Sequence, residues 1–429
     1  MMVNNKYDVI IAGGGTSGIS CAWNCGKLGL ETLLVERNSF LGGSITSSLV
    51  IPAMKTSENA INTDFYDNFY NNLKNVSGAI TYSDGNRGWF NPELTKIILD
   101  SMMKDANVDV LFESCIGTIQ TEKDKILSLT IDTIYNDNLS SCPGILSQPI
   151  ETNYLVDATG DSEIFQKLNL EFLKKNENDF QPINLRFIMS GVNTKKFAEW
   201  ITKFDTDREV TTACTEGGYT YVSTAYTWDT NKNWALRPIF RRAVEDNVLK
   251  EEDTNYFQLF SVAGTQDSIA FNAPRLINTG LNRSDAYIDA RSAIFRLSNF
   301  CKKYLKGFEN SYISSIANTL GVRVSNRIRG KYVYSYDDLV SGKTFDRPVL
   351  VSNYPIDIHS DKKDSSTLQK VYKEYQLPLE SLMSADYENL FAIGRCISAD
   401  FRAQAALRII PSCFSMGEGL AKYLAEIKH

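Results

Sequence analysis

Histidine is almost missing from this chain: His359 and His429 are the only two. An internal histidine-based metal site is therefore not expected, and His359 is the one internal side chain whose ordinary pKa lies near neutrality. Cysteine occurs eight times, at 21, 25, 115, 142, 214, 301, 396 and 413, and never as C-x-x-C. That spacing argues against a zinc site, a disulfide framework or a redox dithiol made from Cys396 and Cys413, and leaves buried thiols as the ordinary reading. Apolar runs long enough to span a bilayer are lacking too, and no charged-then-apolar leader precedes the first strand. A cytoplasmic protein with no membrane span is expected. No basic stripe is evident and the formal net charge is −6, so nucleic acid is not expected as a partner. There is no internal repeat and no low-complexity tract.

What is present is ordinary in bulk and specific in detail. With 429 residues, 43% hydrophobic and 22% charged, the chain can build two or three domains. Asp8 to Ala12 is a β-branched run suited to a buried parallel strand, and Gly13-x-Gly15-x-x-Gly18 turns it into a helix from Thr16 to about Leu28. The first glycine allows the turn, the second lets a pyrophosphate approach the backbone, and the third lets helix and strand pack closely. Free N–H groups and the positive helix end then face the phosphates. Leu30 to Val35 reads as a second strand, and Glu36 at its end is placed to accept hydrogen bonds from a ribose 2′-hydroxyl. Strand, turn, helix, strand and acid in this order specify a dinucleotide.

Downstream, Ser39 to Ser44 is a glycine loop, and few periodic signals follow up to Trp89. Asn91-Pro-Glu93 starts a helix with Leu94, Ile97, Ile98 and Met102 as its apolar face. Val108 to Phe112 reads as a strand, and Cys115 to Ile131 as a β-meander ending in a polar loop over 136–144. Tyr154 to Asp161 is a strand breaking at Gly160. From about Phe180 to Phe308 aromatic and Thr-rich segments alternate with helical ones such as Asp285 to Lys303, the mark of an inserted unit. A strand-like segment runs through Tyr354 to His359, Asn389 to Cys396 is a strand entering a glycine turn, and Pro411 to Ile427 is a terminal helix with Ser415-x-x-Glu418 as a capping box.

These motifs resemble the FAD-dependent oxidoreductases of the glutathione-reductase-like flavoprotein superfamily. The likeness rests on Asp8–Gly18 with Glu36-Arg37 and Leu41-Gly42-Gly43, Asp157-Ala-Thr-Gly160-Asp161, Gly321 to Tyr332, Tyr354 to His359, and Ala392 to Ala399 followed by Arg408 to Cys413. It spans nearly the whole chain and is weakest over the inserted region. The resemblance implies an α/β fold: a three-layer Rossmann-like FAD-binding domain of discontinuous segments (1–178, 309–345 and 384–429) with an inserted mixed α/β substrate domain (179–308 and 346–383). Its implied cofactor is FAD, held by Gly13, Gly15, Thr16, Ser17 and Gly18. Glu36, Arg37, Gly42, Gly43 and Ser44 would follow the ribose and pyrophosphate, and the backbone at Cys115 and Ile116 the adenine. Ala158, Thr159 and Gly160 would lie against the cofactor, Gly394 and Arg395 beside its ribityl chain. Ile410 and Pro411 open a helix whose positive end would face the flavin N1/O2 edge.

The implied reaction is hydride transfer between a small-molecule substrate and flavin N5, with quinone, oxygen, another flavoprotein or NAD(P)H as the unknown electron donor or acceptor. Two other readings stand beside it: a non-catalytic, redox-sensing flavoprotein in an assembly, and an NAD-dependent dehydrogenase with a single Rossmann domain. For catalysis, Asp357 and His359 alternate with Ile356 and Ile358, so both face one side of a strand. Arg408 precedes the terminal helix, with Arg402 and Gln404 expected in the same loop. Arg323, Arg327 and Arg329 offer either a clamp for a carboxylate or phosphate or an ion cluster with Asp337 and Asp338. Asn272-Ala-Pro-Arg275 is a candidate pocket lining. Asp400-Phe401-Arg402 stands where relatives often carry a histidine or another polar residue, and Val324 and Asn326 where they tend to have Glu and Arg. Acid–base roles at those positions do not carry over.

Overall fold

The computed structural model describes residues 4–82, 85–133, 144–176, 179–227, 232–276, 282–359 and 367–428. Cys142, His429 and the expected loop up to residue 143 lie outside the described residues.

The first strand, Lys6–Ala12, buries Tyr7, Val9, Ile10 and Ile11 almost completely, as a strand covered on both faces must. It pairs in parallel with Thr32–Val35 on one side and with Gly144–Asp157 on the other; Asp109–Leu111 and Leu390–Ala392 extend the parallel part. The meander Ser114–Glu122 and Lys125–Thr133 pairs antiparallel onto the long strand's first half. Register aligns the carboxyl ends: Ala12 stands opposite both Val35 and Asp157, and Asp157 opposite Ala392. Four strands therefore stop in one row, the place where open α/β sheets bind ligands.

Two helices cover one face of this sheet. The nucleotide helix Thr16–Lys27 packs against the terminal helix Ile410–Lys428, with Ser20 Oγ donating to the Phe414 carbonyl at 2.7 Å. Small residues make the approach close: a side-chain carbon at Gly417 would be driven onto the Ser17 carbonyl oxygen. Phe414 fits its ring edge-on to Phe65, centroids 4.8 Å apart. Phe65 belongs to a helix, Asp64–Asn75, that buries Phe65, Tyr66, Phe69, Tyr70 and Leu73. The expected helix after Asn91 is Pro92–Asp105, capped as read by Asn91 accepting from Glu93 and Leu94 N–H. Its expected apolar face is corrected at Ile97, which points to solvent, and the buried side is Thr95, Leu99, Met102 and Met103.

A second core lies under a six-stranded antiparallel sheet, in the order Thr212–Glu216, Tyr219–Thr227, Tyr256–Ser261, Ile269–Phe271, Phe187–Ser190, Tyr312–Ile316. The helix Arg283–Tyr304 seals it with Ile294, Leu297 and Phe300. Two expected boundaries are corrected. Tyr312–Ile316 pairs with Phe187–Ser190, so the inserted unit extends past residue 309. The segment 346–383 does not belong to that unit's core: Pro348–Ser352 pairs with Tyr375–Pro378 and buries Val349, Leu350, Tyr375 and Leu377 with the nucleotide helix and the terminal helix. Sequence gave no periodic cue for this short hairpin, whose partner is a helix some sixty residues later.

Candidate active site

Just beyond the row of strand ends, Gly13 turns at φ +105°, and a side-chain carbon there would stand 2.6 Å from the Ala158 carbonyl oxygen. Only glycine fits both demands. The helix that follows has Gly15 at its N-cap, no side-chain cap hydrogen bond and no acidic residue in its first turn. Its opening N–H groups are thus left to a ligand. Gly42 and Gly43 bring a loop back over this turn, with Gly42 N–H donating to the Gly14 carbonyl at 2.9 Å and the Thr16 and Ser44 hydroxyls 3.1 Å apart. Ile116 is buried, two residues beyond Ser114, whose N–H donates to the Glu36 carbonyl. At the third strand end, Thr159 hydrogen-bonds Asp157, and the Gly160 carbonyl accepts from Arg395 Nε at 2.8 Å. Gly394 passes next to Ser17, at φ +83°. Segments far apart in sequence thereby converge on one place beyond the strand ends.

Several details differ from expectation. Glu36 is buried and accepts from Gly14 N–H at 2.7 Å and from Asn38 N–H at 2.8 Å, so it braces the glycine turn. Burial raises its carboxyl pKa, against these hydrogen bonds. Arg37 pairs with Glu163 at the surface instead of following the pyrophosphate. The capping box is overturned: Ser415 lies inside the helix and donates to the Ile61 and Val349 carbonyls, while Glu418 accepts from Phe65 N–H and Lys422. Arg402 and Gln404 sit on a helix, Phe401–Leu407, capped by Asp400, which gives the departing Asp400 a structural task. Burial pushes the Cys413 thiol up to about 11 and Cys396 higher still, so both are protonated thiols.

The buried polar atoms left without partners mark what the cleft is built to hold. Ser47 Oγ, Ser412 Oγ and Gln404 Oε1 have none among the described residues. They surround the start of the nucleotide helix and the start of the terminal helix at Ile410 and Pro411. An unmet buried polar group costs about 1–3 kcal/mol, and a nucleotide with ribityl hydroxyls and phosphate oxygens would meet these. The residues present fit a flavin nucleotide.

Beside the cleft lies a network of ionisable groups. His359 Nε2 is 3.1 Å from Asp357 Oδ2, as the strand alternation required, and His359 Nδ1 is 3.0 Å from a guanidinium nitrogen of Arg275. Since guanidinium only donates, Nδ1 accepts and the proton sits on Nε2, facing Asp357. Burial and Arg323 push the imidazole down to about 3 against the pull of Asp357, so it is neutral. Burial opposes ionisation of Asp357, but the His359 hydrogen bond and the Arg408 and Arg323 charges bring it to about 2. Arg408 donates to the Asp357 carbonyl at 3.0 Å, the Arg323 carbonyl at 3.2 Å and Gln181 Oε1 at 3.3 Å. Gln181 Oε1 also accepts from His359 N–H. Arg275 itself stacks over Tyr256 at 3.9 Å and is buried. Sequence reading missed Arg186 and Gln181; neither stands in a motif.

The other arginines part company with this network. Arg327 is buried with Asp179 at 2.8 Å, and Arg329 meets Asp386 at 2.9 Å, so neither forms the expected cluster with Asp337 and Asp338. Asp338 instead holds Lys343 and Tyr332. Arg327 and Asp179 line an open cavity of about 590 Å³ with Lys174, Phe401, Arg402 and Ile358, the neighbour of Asp357.

Aligned strand ends, an uncapped helix start and a return strand at Gly394 define a dinucleotide-binding α/β protein. A family model for FAD dependent oxidoreductase matches residues 8–426. The chain belongs to that family, and its cofactor is FAD. Among curated proteins it is 48% identical over 48 residues to dihydrolipoyl dehydrogenase of Vibrio parahaemolyticus, 11% of this chain and 10% of that one. The counterpart from Haemophilus influenzae is 46% identical over 48 residues, again 11% and 10%. The chain thus spans about a tenth of the length of the curated relatives it matches. Solved structures similar to it include a geranylgeranyl bacteriochlorophyll reductase-like protein from Thermoplasma acidophilum, at 12% identity and TM-score 0.48, covering 99% of this chain and 79% of that one. Another is p-nitrophenol 4-monooxygenase from Pseudomonas putida, at 10% identity and TM-score 0.47, covering 98% and 78%. Among the described residues no helix is long and apolar enough to cross a membrane.

Proposed function

We propose that the chain transfers a hydride between a small organic molecule and N5 of bound FAD. The observation that carries this reading is the adjacency of the cofactor cleft to the Asp357–His359–Arg408 network. Arg408 is two residues from Ile410, where the terminal helix begins, and its guanidinium is bonded to the Asp357 carbonyl. FAD supplies the reversible uptake of two electrons. Gly13, Gly15, Thr16, Ser17, Gly18, Gly42, Gly43 and Ser44 hold its phosphates; Glu36 its ribose, with Arg37 bracing Glu163 nearby; Ile116 its adenine. Ala158, Thr159, Gly160, Gly394, Arg395, Ile410 and Pro411 hold the remainder.

Asp357 keeps the neutral His359 in one tautomer, and His359 in turn orients Arg275. Arg408 supplies fixed positive charge where negative charge develops. The inserted unit forms the substrate side of the cleft. The cysteines at 21, 25, 115, 214, 301, 396 and 413 are free thiols, which suits a reducing cytoplasm.

Anaerobic mixing with a panel of small organic donors, followed by quinone, oxygen or NAD(P)⁺ as acceptors, tests the reading. Bleaching of the flavin absorbance by a donor and its return with an acceptor is the expected result. A flavin spectrum indifferent to every donor and acceptor would leave the redox-sensing or structural alternative in its place.

A further inference from the structure

Gln181, Arg186 and Arg408 each bury a hydrogen-bond donor with no acceptor among the described residues: Gln181 Nε2, Arg186 Nε and Arg408 Nε. Gln181 and Arg186 are themselves more than nine-tenths buried, at 4% and 9% exposure. Arg186 and Arg408 both lie within electrostatic reach of Arg323, and Arg408 bonds Gln181. Gln181 Oε1 is taken by Arg408 and by His359 N–H, which fixes the amide so that its nitrogen is the end left over. Arg186 reaches the Leu49 carbonyl at 3.4 Å, on the loop that starts at Gly43 and Ser44, so it borders the cofactor cleft from the inserted unit's side.

Charge in this neighbourhood is one-sided. Among the described residues, the hydrogen bonds of Arg408, Arg323 and Arg186 go to carbonyls and to Gln181, not to a carboxylate. The carboxylate facing them is Asp357, and it is bonded to His359. Burial lowers Arg186 to about 9 and Arg408 to about 10, so both remain protonated near neutrality. Buried guanidinium donors that lack a carboxylate suit a planar, two-oxygen anion.

We propose that the molecule exchanging hydride at this site is an organic acid, its carboxylate held by Arg186 and Arg408 with Gln181 as the neutral third donor. This rests on the flavoenzyme reading and adds the substrate class. Binding needs no covalent step: the carboxylate enters ionised and accepts N–H bonds that the protein leaves open. Bound there, the acid presents its neighbouring carbon toward the cleft and away from solvent.

The test is a titration of the FAD-loaded full chain, followed by the flavin visible spectrum, with acetate, pyruvate, succinate and benzoate, and with the neutral amide of each. At least one acid is expected to perturb the spectrum saturably while its amide does not. Arg186→Gln should weaken that acid at least tenfold, and Arg186→Lys less, with flavin content per chain unchanged. Equal effects of acid and amide, or no saturable effect of any of the four acids, would overturn the proposal without any variant needing to fold. Loss of flavin in both Arg186 variants, with acid binding to the residual holoprotein unaltered, would assign the open donors to the cofactor instead and overturn it too. A chain that never takes up flavin would sink the underlying reading, an outcome distinct from a flavin-loaded chain blind to carboxylates.

Discussion

Arg275 and His359 meet nose to nose: a guanidinium nitrogen lies 3.0 Å from His359 Nδ1, while Asp357 stands 3.1 Å from Nε2. The histidine is therefore locked neutral, with each ring nitrogen committed to a group of opposite demand.

The lock carries a pH signature. His359 is lowered to about 3 in the folded chain, below its ordinary value near 6.5, so the unfolded chain binds the extra proton and stability falls with pH below about 6.5. From pH 7 to 5 the loss is about 2 kcal/mol at ~1.4 kcal/mol per unit. Asp357, lowered to about 2, adds a loss in the same direction only below about pH 4. Denaturant unfolding of the wild type and of His359→Gln across pH 5–7 checks this. The variant, which cannot titrate there, should show the shallower slope, and equal slopes would refute the lock.

Gly13→Ala should abolish cofactor retention while leaving most of the fold. The residue sits at φ +105° with the Ala158 carbonyl behind it, a strain of about 1–3 kcal/mol before any clash is relieved. Flavin-to-protein absorbance after gel filtration is the readout, expected to drop towards zero while far-UV circular dichroism stays near wild type.

Arg327→Ala and Arg37→Ala separate a buried pair from an exposed one. Arg327 and Asp179 have side chains only 2% and 9% exposed, so removing the arginine strands a buried carboxylate and should cost about 3–5 kcal/mol. Arg37 and Glu163 are 54% and 31% exposed, and their loss should cost under about 1 kcal/mol. Urea midpoints of the two variants settle the ranking.

Ser47 and Ser412 keep buried hydroxyls without partners among the described residues. Alanine at either position should leave the cofactor-free protein as stable as wild type or up to about 1 kcal/mol more so, yet weaken FAD. Thermal melts with and without added FAD should therefore show a smaller ligand-induced shift in the variants.

Local signals made the nucleotide unit readable in sequence. The Gly13 turn and the Asn91 cap are each specified by neighbours within a few residues, and each lies where it was expected; the strand expected over Tyr154 to Asp161 starts earlier, at Gly144, and stops at Asp157. The helix Asp64–Asn75 was legible and went unread: Phe65, Tyr66, Phe69, Tyr70 and Leu73 recur at helical spacing. What sequence did not carry was pairing at a distance. Nothing near Pro348 or Tyr375 says that their hairpin belongs with the nucleotide helix, and nothing near Glu418 says that its carboxylate caps Phe65 N–H. The same holds within the site. His359 and Asp357 were findable from strand alternation, whereas Arg275 and Gln181 reach His359 from the inserted unit, where only the fold brings them close.

The most direct measurement is the absorbance spectrum of the purified full chain, taken as isolated and again after incubation with FAD and removal of the excess. Bands of oxidised flavin at close to one flavin per chain are the expected result. A colourless protein that gains no flavin absorbance on incubation would contradict the account at its root.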